Sequence, residues 1–448
     1  MTQTYLQEFT AFSANGAGRG PAWVVPVRRA AIERFGALGF PTPKNEDWHF
    51  TSVSPIAERV FSLAPRETRH VSAAQCVPFL FGQAAWPVMV FVNGRYAASL
   101  STEPGESSGI RVLDLARAWR EDDALLEQHL TKVASYDRAA FTALNTAFMY
   151  DGAVIHIGAD ADAPHPLHLL FISTGDVEGR VAHPRNLIVA ERGSRATVIE
   201  SYVALGNAPY FTNGVTEVTL RDGATFTHLK VQRESEQAYH VGTVQVEQGR
   251  DTHFVQFSFA SGAALSRTNV YTLLNGAGCG ATLNGLYMVD GTQHVDHQTR
   301  IEHAQPNTFS REMYKGILDG ASHGVFNGQV YVRPVAQQTD GKQENNNLLL
   351  SRQARVDTKP QLEIYADDVK CTHGATVGRL DDTALFYMKS RGIGQDTARK
   401  LLTYAFAAGV LEHIGQEPVR EELERLTLNR FAGTGTGHSE QHGHGTGT

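Results

Sequence analysis

The sequence predicts a mainly β fold in which a β-solenoid is flanked by helical regions. Short strand-like runs, such as 196–202 and 281–288, follow one another over residues 150–378, and turn pairs such as Asp222-Gly223 separate them. No helical pattern lies between the runs, which argues against alternating βα units. A sandwich or barrel and a solenoid both remain open, but roughly two hundred residues of short strands is long for one sandwich and suits stacked coils.

Periodicity and composition divide the chain into four regions. We expect a mostly helical region over 1–150, the solenoid over 151–378, a helical domain over 379–431 and a disordered tail over 432–448. The tail is mainly Gly, Thr, His and Ser, a composition too polar to bury a core.

Local patterns predict individual elements within these regions. In the N-terminal region we expect helices over 23–38 and 113–133 and a strand pair over 87–96 around the turn Asn93-Gly94. Near the end of the solenoid, the apolar residues predict a strand over 346–350.

After Gly378 the apolar residues adopt helical spacing. Asp381 or Asp382 can cap the first of three helices, and Gly392 can end it. The apolar residues of the first two helices include Leu385, Phe386, Met388, Leu401, Leu402 and Phe406. Such a stripe is most often core packing, although a helical end on a solenoid is also a natural docking element.

The composition is that of an ordinary soluble protein and excludes several function classes. The chain has 448 residues and a net charge of -7, which argues against nucleic acid as the main partner. No apolar run is long enough to span a bilayer, and no secretory signal is evident. The three cysteines, Cys76, Cys279 and Cys371, form no disulfide framework and suggest a reducing compartment. We therefore expect a cytoplasmic protein.

The densest reactive chemistry in the sequence is the pair Cys371 and His373. In a strand, side chains two residues apart point to the same face, so this pair would offer a thiolate and an imidazole side by side. Both are ligands for iron, zinc or copper, but two ligands do not complete a metal site. Further ligands would have to come from elsewhere, including another chain. The ordinary reading is a buried cysteine and a structural histidine.

Motifs of common enzyme classes are missing. The chain has no G-x-x-x-x-G-K-[ST] phosphate loop, no dinucleotide fingerprint and no G-x-S-x-G nucleophile elbow. A β-helix enzyme acting on polysaccharide would need carboxylates clustered along one face, which are not evident. The sequence therefore favours a non-catalytic role.

Several longer segments resemble the SufB/SufD family of the Suf iron–sulfur cluster assembly machinery, in particular its SufD branch. The C-terminal signature is the most specific of them: EIYADDVKCTHGATVG over 363–378, followed by ALFYMKSRGI over 384–393. Segments 43–51 (PKNEDWHFT), 141–147, 296–303 and 316–320 agree with it. The resemblance covers nearly the whole chain except its two ends.

The resemblance implies a right-handed parallel β-helix and a scaffold subunit that is not itself an enzyme. Such a subunit pairs with SufB through the β-helix ends and binds the ATPase SufC through its C-terminal helices, here represented by the six apolar residues named above. The sequence leaves open whether the chain forms a homodimer when the partner is absent. A SufB-like paralogue fits less well, because the chain carries Cys-x-His at the junction and lacks an N-terminal cysteine cluster.

The resemblance also assigns roles to the reactive pair. His373 is implied to lie at the SufB interface and to take part in building the nascent cluster, with Cys371 beside it. The cofactor implied is a transient iron–sulfur cluster, or iron, shared with SufB, and none bound stably by this chain alone.

Overall fold

The structure is a computed structural model that describes residues 2–14, 20–64, 71–105, 109–176 and 178–430. The predicted tail over 432–448 lies outside the described residues. Within those ranges the α-helices are α1 Thr2–Ala14, α2 Val24–Leu38, α3 Ser54–Ala57, α4 Ala73–Cys76, α5 Leu115–Glu121, α6 Asp123–His129, α7 Ala140–Phe148, α8 Asp382–Ser390, α9 Gln395–Leu411 and α10 Glu417–Arg430.

The strands of the described residues form two large sheets. They are β1 Ser62–Leu63, β2 Val88–Val92, β3 Arg95–Tyr96, β4 Ile110–Asp114, β5 Ala153–Ile157, β6 Leu167–Ser173, β7 Arg180–Ala182, β8 Arg185–Ala190, β9 Arg195–Ala204, β10 Phe211–Leu220, β11 Thr225–Arg233, β12 Tyr239–Gln248, β13 His253–Ala260, β14 Leu265–Leu274, β15 Gly280–Val289, β16 His294–His303, β17 Phe309–Leu318, β18 His323–Val332, β19 Thr339–Leu349, β20 Arg355–Ile364 and β21 Val369–Gly378.

From β8 onward, successive strands alternate between the two sheets. Sheet 1 runs in the order β20-β18-β16-β14-β12-β10-β8-β5-β4, and sheet 2 in the order β21-β19-β17-β15-β13-β11-β9-β6-β2-β3. Neighbours along the solenoid are parallel and in register: Phe211 pairs with Tyr239, and Tyr239 with Leu265. Paired residues of successive coils from β8 onward are 26 to 32 positions apart, so each coil takes about 30 residues and stacks on the previous one. This confirms the mainly β solenoid and excludes the sandwich or barrel.

The core lies between the two sheets, where equivalent positions of successive coils stack. Phe171 and Tyr202 have ring centroids 4.8 Å apart with nearly parallel planes, and Phe226 stacks on Phe254 in the same way. In parallel strands that are in register, side chains at paired positions point to the same face of the sheet, so an apolar residue in one coil packs against the apolar residue at the equivalent position of the next coil.

One sequence expectation for a single element was wrong, and one expected strand is longer than its composition indicated. The helix expected over 113–133 is divided: β4 occupies its start, and Asp122, with φ -147°, separates α5 from α6. The strand expected over 346–350 is the end of the longer strand β19, whose first half is too polar to be recognised by its composition. The region boundaries expected at 150 and 378 stay predictions.

The N-terminal region packs on the outer face of sheet 1 and is attached there by a buried ion pair. Arg185 Nη2 lies 2.5 Å from Glu217 Oε1, and both side chains are inaccessible to solvent. The Glu217 carboxylate also accepts hydrogen bonds from the backbone N–H groups of Thr131 and Ala134, while Arg185 donates to Asn145 of α7. One charge pair thus joins the solenoid to the loop before α7 and to α7 itself.

The C-terminal helices fold back onto the outer face of sheet 2. Ala407, Val410 and Leu411 of α9 are buried in a cluster with Ile317 of β17 and Leu286 of β15. Because the outer faces of both sheets carry packed elements, side-chain exposure on the solenoid is concentrated at its C-terminal end.

Polar side chains also occur inside the solenoid. Glu312 of β17 and Gln343 of β19 are cross-strand partners, and Gln343 Nε2 donates to Glu312 Oε2 at 2.6 Å. Both side chains are buried. Burial raises the pKa of Glu312 to about 7, against the opposing effect of the Gln343 hydrogen bond.

We predict that Arg185→Ala lowers the free energy of unfolding by about 3–5 kcal/mol, because Glu217 would remain as a buried charge without its partner. Urea denaturation followed by circular dichroism measures the loss. The matched control is Arg192→Ala, which removes a solvent-exposed pair with Asp160 and should cost less than about 1 kcal/mol. Equal losses in the two variants would contradict the anchoring role.

We predict a pH-dependent stability difference between Glu312→Gln and the unchanged protein. The folded-state pKa of about 7 exceeds the ordinary value of 4.5, so the folded protein binds more protons between these values and its stability falls as pH rises through them. The amide variant does not titrate and should gain on the order of 3 kcal/mol relative to the unchanged protein above pH 7. Urea denaturation at pH 4.5, 6 and 8 measures this difference, and a constant value would contradict it.

Candidate functional site

The solenoid has an open end, formed by the last two strands, β20 and β21. Among the described residues, β20 pairs only with β18 and β21 only with β19, so each has one edge without a strand neighbour. An unpaired strand edge presents a row of free backbone N–H and C=O groups that can accept another strand. Ten residues in each strand make this an edge long enough for pairing in both sheets.

The start of the solenoid is covered in a different way. Sheet 1 continues from β5 to the antiparallel strand β4, and sheet 2 continues from β6 to the short hairpin of β2 and β3. The N-terminal region thus supplies added strands at one end of both sheets, while the described residues supply none beyond β20 and β21.

The reactive pair lies in β21, which confirms that the two residues belong to a strand. In register with β19, Gly341 is opposite Cys371 and Gln343 is opposite His373. A Cβ atom at Gly341 would lie 3.3 Å from Cys371 Sγ and 3.4 Å from the buried Ser310 Oγ, so Cys371 faces the inside of the solenoid. His373, two residues further on, projects from the same side of the strand.

The two side chains differ in exposure and chemistry. Cys371 is half-buried against the apolar cluster of Val330, Val332 and Ala366, and burial raises the pKa of its thiol. A thiol with a raised pKa stays protonated at neutral pH, and the thiolate is the form that binds metals. His373 is exposed and has no comparable cover. The structure therefore favours the imidazole over the thiol as the accessible ligand.

The pair is an incomplete ligand set within the described part of the chain. There, no three His, Cys, Asp or Glu side chains are close enough together to hold a metal ion. Iron and zinc sites in proteins usually take four ligands.

The residues of the expected docking stripe have different environments. Phe386 is 73% exposed and Leu401 43% exposed, whereas Leu385, Met388 and Leu402 are half-buried. Helix α8 has no buried residue at all. We call the exposed and half-buried apolar residues of α8, together with Leu401 of α9, the α8 patch: Leu385, Phe386, Tyr387, Met388 and Leu401. Several exposed large apolar side chains in one short segment are typical of protein contacts.

Phe406 lies apart from the α8 patch. Its ring packs against the solenoid, its carbonyl accepts a hydrogen bond from Lys315 Nζ at 2.8 Å, and the same ammonium lies 4.9 Å from the ring centroid. A Cβ atom at Gly409 would lie 2.7 Å from Lys315 Nζ, so this glycine leaves the room that the lysine needs. These contacts attach α9 to β17.

Two segments that are distant in sequence meet beside the open end. Arg267 of β14 donates to the Asp47 carbonyl at 2.6 Å and to Asp296 at 2.7 Å, and its guanidinium lies 3.7 Å from the Trp48 ring centroid. Glu46 forms an ion pair with Lys359 of β20. The segment around Trp48 therefore reaches from the middle of sheet 1 to its last strand and forms one wall of a cleft of about 740 Å³.

The sequence did not identify the side chains behind His373. Glu312, Gln343 and His373 occupy equivalent positions in three successive coils of sheet 2. Their separations of 31 and 30 residues match one coil each, and this spacing is the signal that could have found them once the coil length was known.

The helices of the described residues include none with the length and apolar composition of a membrane span.

Comparison with known proteins identifies the family. The family model of the SUF system FeS cluster assembly SufBD core domain matches residues 171–406, and that of the SufBD protein N-terminal region matches residues 1–169.

Individual relatives agree along almost the whole chain. The iron–sulfur cluster assembly protein SufD of Escherichia coli is 33% identical over 94% of this chain and 95% of its own length. An iron–sulfur cluster assembly SufBD family protein of Synechocystis is 33% identical over 92% of both chains, and SufD of Bacillus subtilis is 26% identical over 94% of this chain and 96% of its own. This chain therefore belongs to the SufBD family of SUF-system iron–sulfur cluster assembly proteins.

Proposed function

We propose that this chain is a SufD-type scaffold subunit that pairs with a SufB-type chain at the open end and supports assembly of an iron–sulfur cluster between the two chains. The observation that carries the proposal is the exposed His373 on the last strand of sheet 2, whose outer edge has no strand neighbour among the described residues. Two relatives that match nearly the whole chain bear the name SufD. The three free cysteines fit a cytoplasmic location.

Pairing uses the free backbone groups of β20 and β21. A partner that also ends in two strands continues both sheets at once, so that hydrogen bonds form along two ten-residue edges. Exposed edges of this length are normally protected in single chains, because they invite uncontrolled pairing. A dedicated partner satisfies them and buries the apolar residues near Cys371.

The partner also completes the ligand set. His373 supplies a ring nitrogen from one side of the joint, and the partner supplies thiolate or further imidazole ligands from the other. The cluster is the product of the assembly rather than a resident cofactor of this chain, so ligands divided between two subunits can both hold and release it. The protonated thiol of Cys371 is a secondary ligand that requires loss of its proton.

ATP hydrolysis is assigned to a SufC-type ATPase that docks on the α8 patch. The chain itself has no phosphate-binding loop. Helix α8 begins only four residues after the end of β21, so force applied to it acts close to the open end. Movement of two such ATPases toward each other would shift the two paired solenoids and open their joint to iron and sulfide.

We predict that His373→Ala reduces the cluster yield of the purified complex by about tenfold or more, because an accessible ligand is lost. The complex is expressed with its SufB-type and SufC-type partners, and cluster is measured by absorbance and by iron and sulfide content. The matched control is His165→Ala, which removes an exposed histidine in the loop before β6 and should leave the yield unchanged. An undiminished yield with an intact His373→Ala complex would remove His373 from the mechanism.

We predict that Phe386→Asp weakens binding of the SufC-type ATPase about tenfold or more, because a charge replaces the most exposed apolar side chain of the α8 patch. Affinity is measured by titrating the ATPase onto immobilised chain. The control Val77→Asp introduces the same charge at an exposed apolar residue far from α8 in sequence, and binding should persist. Since Phe386 makes few internal contacts, both variants should fold, and circular dichroism checks this.

A further inference from the structure

We propose that Gln343, held in place by Glu312, positions the imidazole of His373 by accepting its ring N–H. We call Glu312, Gln343 and His373 the inner row. The proposal rests on the proposed function, in which His373 is a ligand, and adds to it the residues that orient this ligand from inside the solenoid.

Register places the three side chains in one line. Glu312 of β17 pairs with Gln343 of β19, and Gln343 pairs with His373 of β21. Neighbouring strands lie about 4.8 Å apart, so side chains at paired positions on the same face are within mutual reach. Ser310 and Gly341, two residues before Glu312 and Gln343, face the interior, which fixes the face of the whole row.

The hydrogen bonds of the Gln343 amide leave one atom unused. Its Nε2 donates to Glu312 Oε2 at 2.6 Å, toward β17. Its Oε1 is buried and has no hydrogen-bond partner among the described residues, although Gln343 is wholly inaccessible to solvent. A buried amide oxygen without a partner costs about 1–3 kcal/mol, so a donor is expected next to it. The next rung on the side away from Glu312 is His373, whose ring carries an N–H group.

The surrounding backbone holds the amide in this orientation. A Cβ atom at Gly328 of β18 would lie 2.3 Å from Gln343 Nε2, so the amide nitrogen occupies space that only glycine leaves free. Gln343 Nε2 donates to Glu312 Oε2 and is enclosed beside Gly328, so the oxygen of the same amide is directed away from Glu312.

This arrangement determines which nitrogen of His373 is available. A ring that donates one N–H to a fixed acceptor keeps the lone pair of its other nitrogen free for a metal. The tautomer and the direction of the lone pair are then set before the partner chain binds. Gln343 is a positioning residue, because it acts through His373 and does not touch the cluster.

The test observes the His373 ring directly in the isolated chain. Nitrogen-15 NMR of histidine-labelled full-length protein reports the tautomer of each ring, and the His373 signals are those lost in His373→Ala. We expect a single dominant tautomer in the unchanged protein and a mixture of the two neutral tautomers in Gln343→Leu. Glu312→Gln, whose amide can donate or accept, should also give a mixture and is nearly isosteric, so it remains informative if Gln343→Leu fails to fold.

The matched control is Gln329→Leu, which removes an amide on strand β18 of sheet 1 that faces outward and donates to Glu363. His373 should keep its dominant tautomer in this variant. A His373 spectrum that is unchanged in both Gln343→Leu and Glu312→Gln would overturn the proposal.

Cluster yield in the assembled complex separates this inference from the proposed function. A tautomer shift in Gln343→Leu together with an undiminished yield in His373→Ala would uphold the positioning role and overturn the proposed function. An unchanged His373 tautomer in both Gln343→Leu and Glu312→Gln, together with a lost cluster yield in His373→Ala, would overturn the positioning role and uphold the proposed function. We expect the tautomer shift and a severalfold lower yield in Gln343→Leu, comparable to a change in other residues that orient a metal ligand.

Discussion

Hydrogen bonding between parallel strands one coil apart is the constraint on which this structure depends. Each strand from β8 onward satisfies its backbone with the strand of the previous coil and offers the same groups to the next. Such a ladder leaves unpaired backbone N–H and C=O groups on its first and last strands, so each end of the solenoid must be covered or paired in its own way. The N-terminal strands β2 to β4 extend the first coils, whereas β20 and β21 leave their outer edges free in the described chain.

The packed outer faces explain why the free end is the prominent surface of the solenoid. The N-terminal region attaches to sheet 1 through the buried Arg185–Glu217 pair, and helices α9 and α10 cover sheet 2. The described residues that stay exposed include the edge with His373 and the α8 patch, on a helix that begins four residues after the end of β21. Under the proposed function, a binding edge and a docking helix adjoin in the chain, which would suit a subunit that transmits movement from one partner to the joint with another.

The interior of the solenoid contains buried polar side chains as well as an apolar core. The inner row places a buried carboxyl with a raised pKa, a buried amide and an exposed imidazole in three consecutive coils. Because parallel register repeats each position once per coil, polar residues at one position form a line along the axis, and the last member of that line reaches the open end. Stacking thus places residues that precede His373 by 30 and 61 positions directly behind it in the same sheet.

The sequence by itself determined the long run of short strands, the three C-terminal helices and the common face of Cys371 and His373, because these follow from local periodicity. Periodicity favoured a solenoid but left a sandwich or barrel open, and the strand pairing decided between them. The sequence misjudged 113–133, where apolar spacing persists across the break at Asp122, and it shortened β19, whose polar residues are buried by register. Only the tertiary structure decided that Arg267 would reach Asp47 across 220 residues, that Gln343 would lie opposite His373 and that Phe406 would pack inward. Such contacts depend on coil length and on how distant segments meet, and no local pattern encodes either.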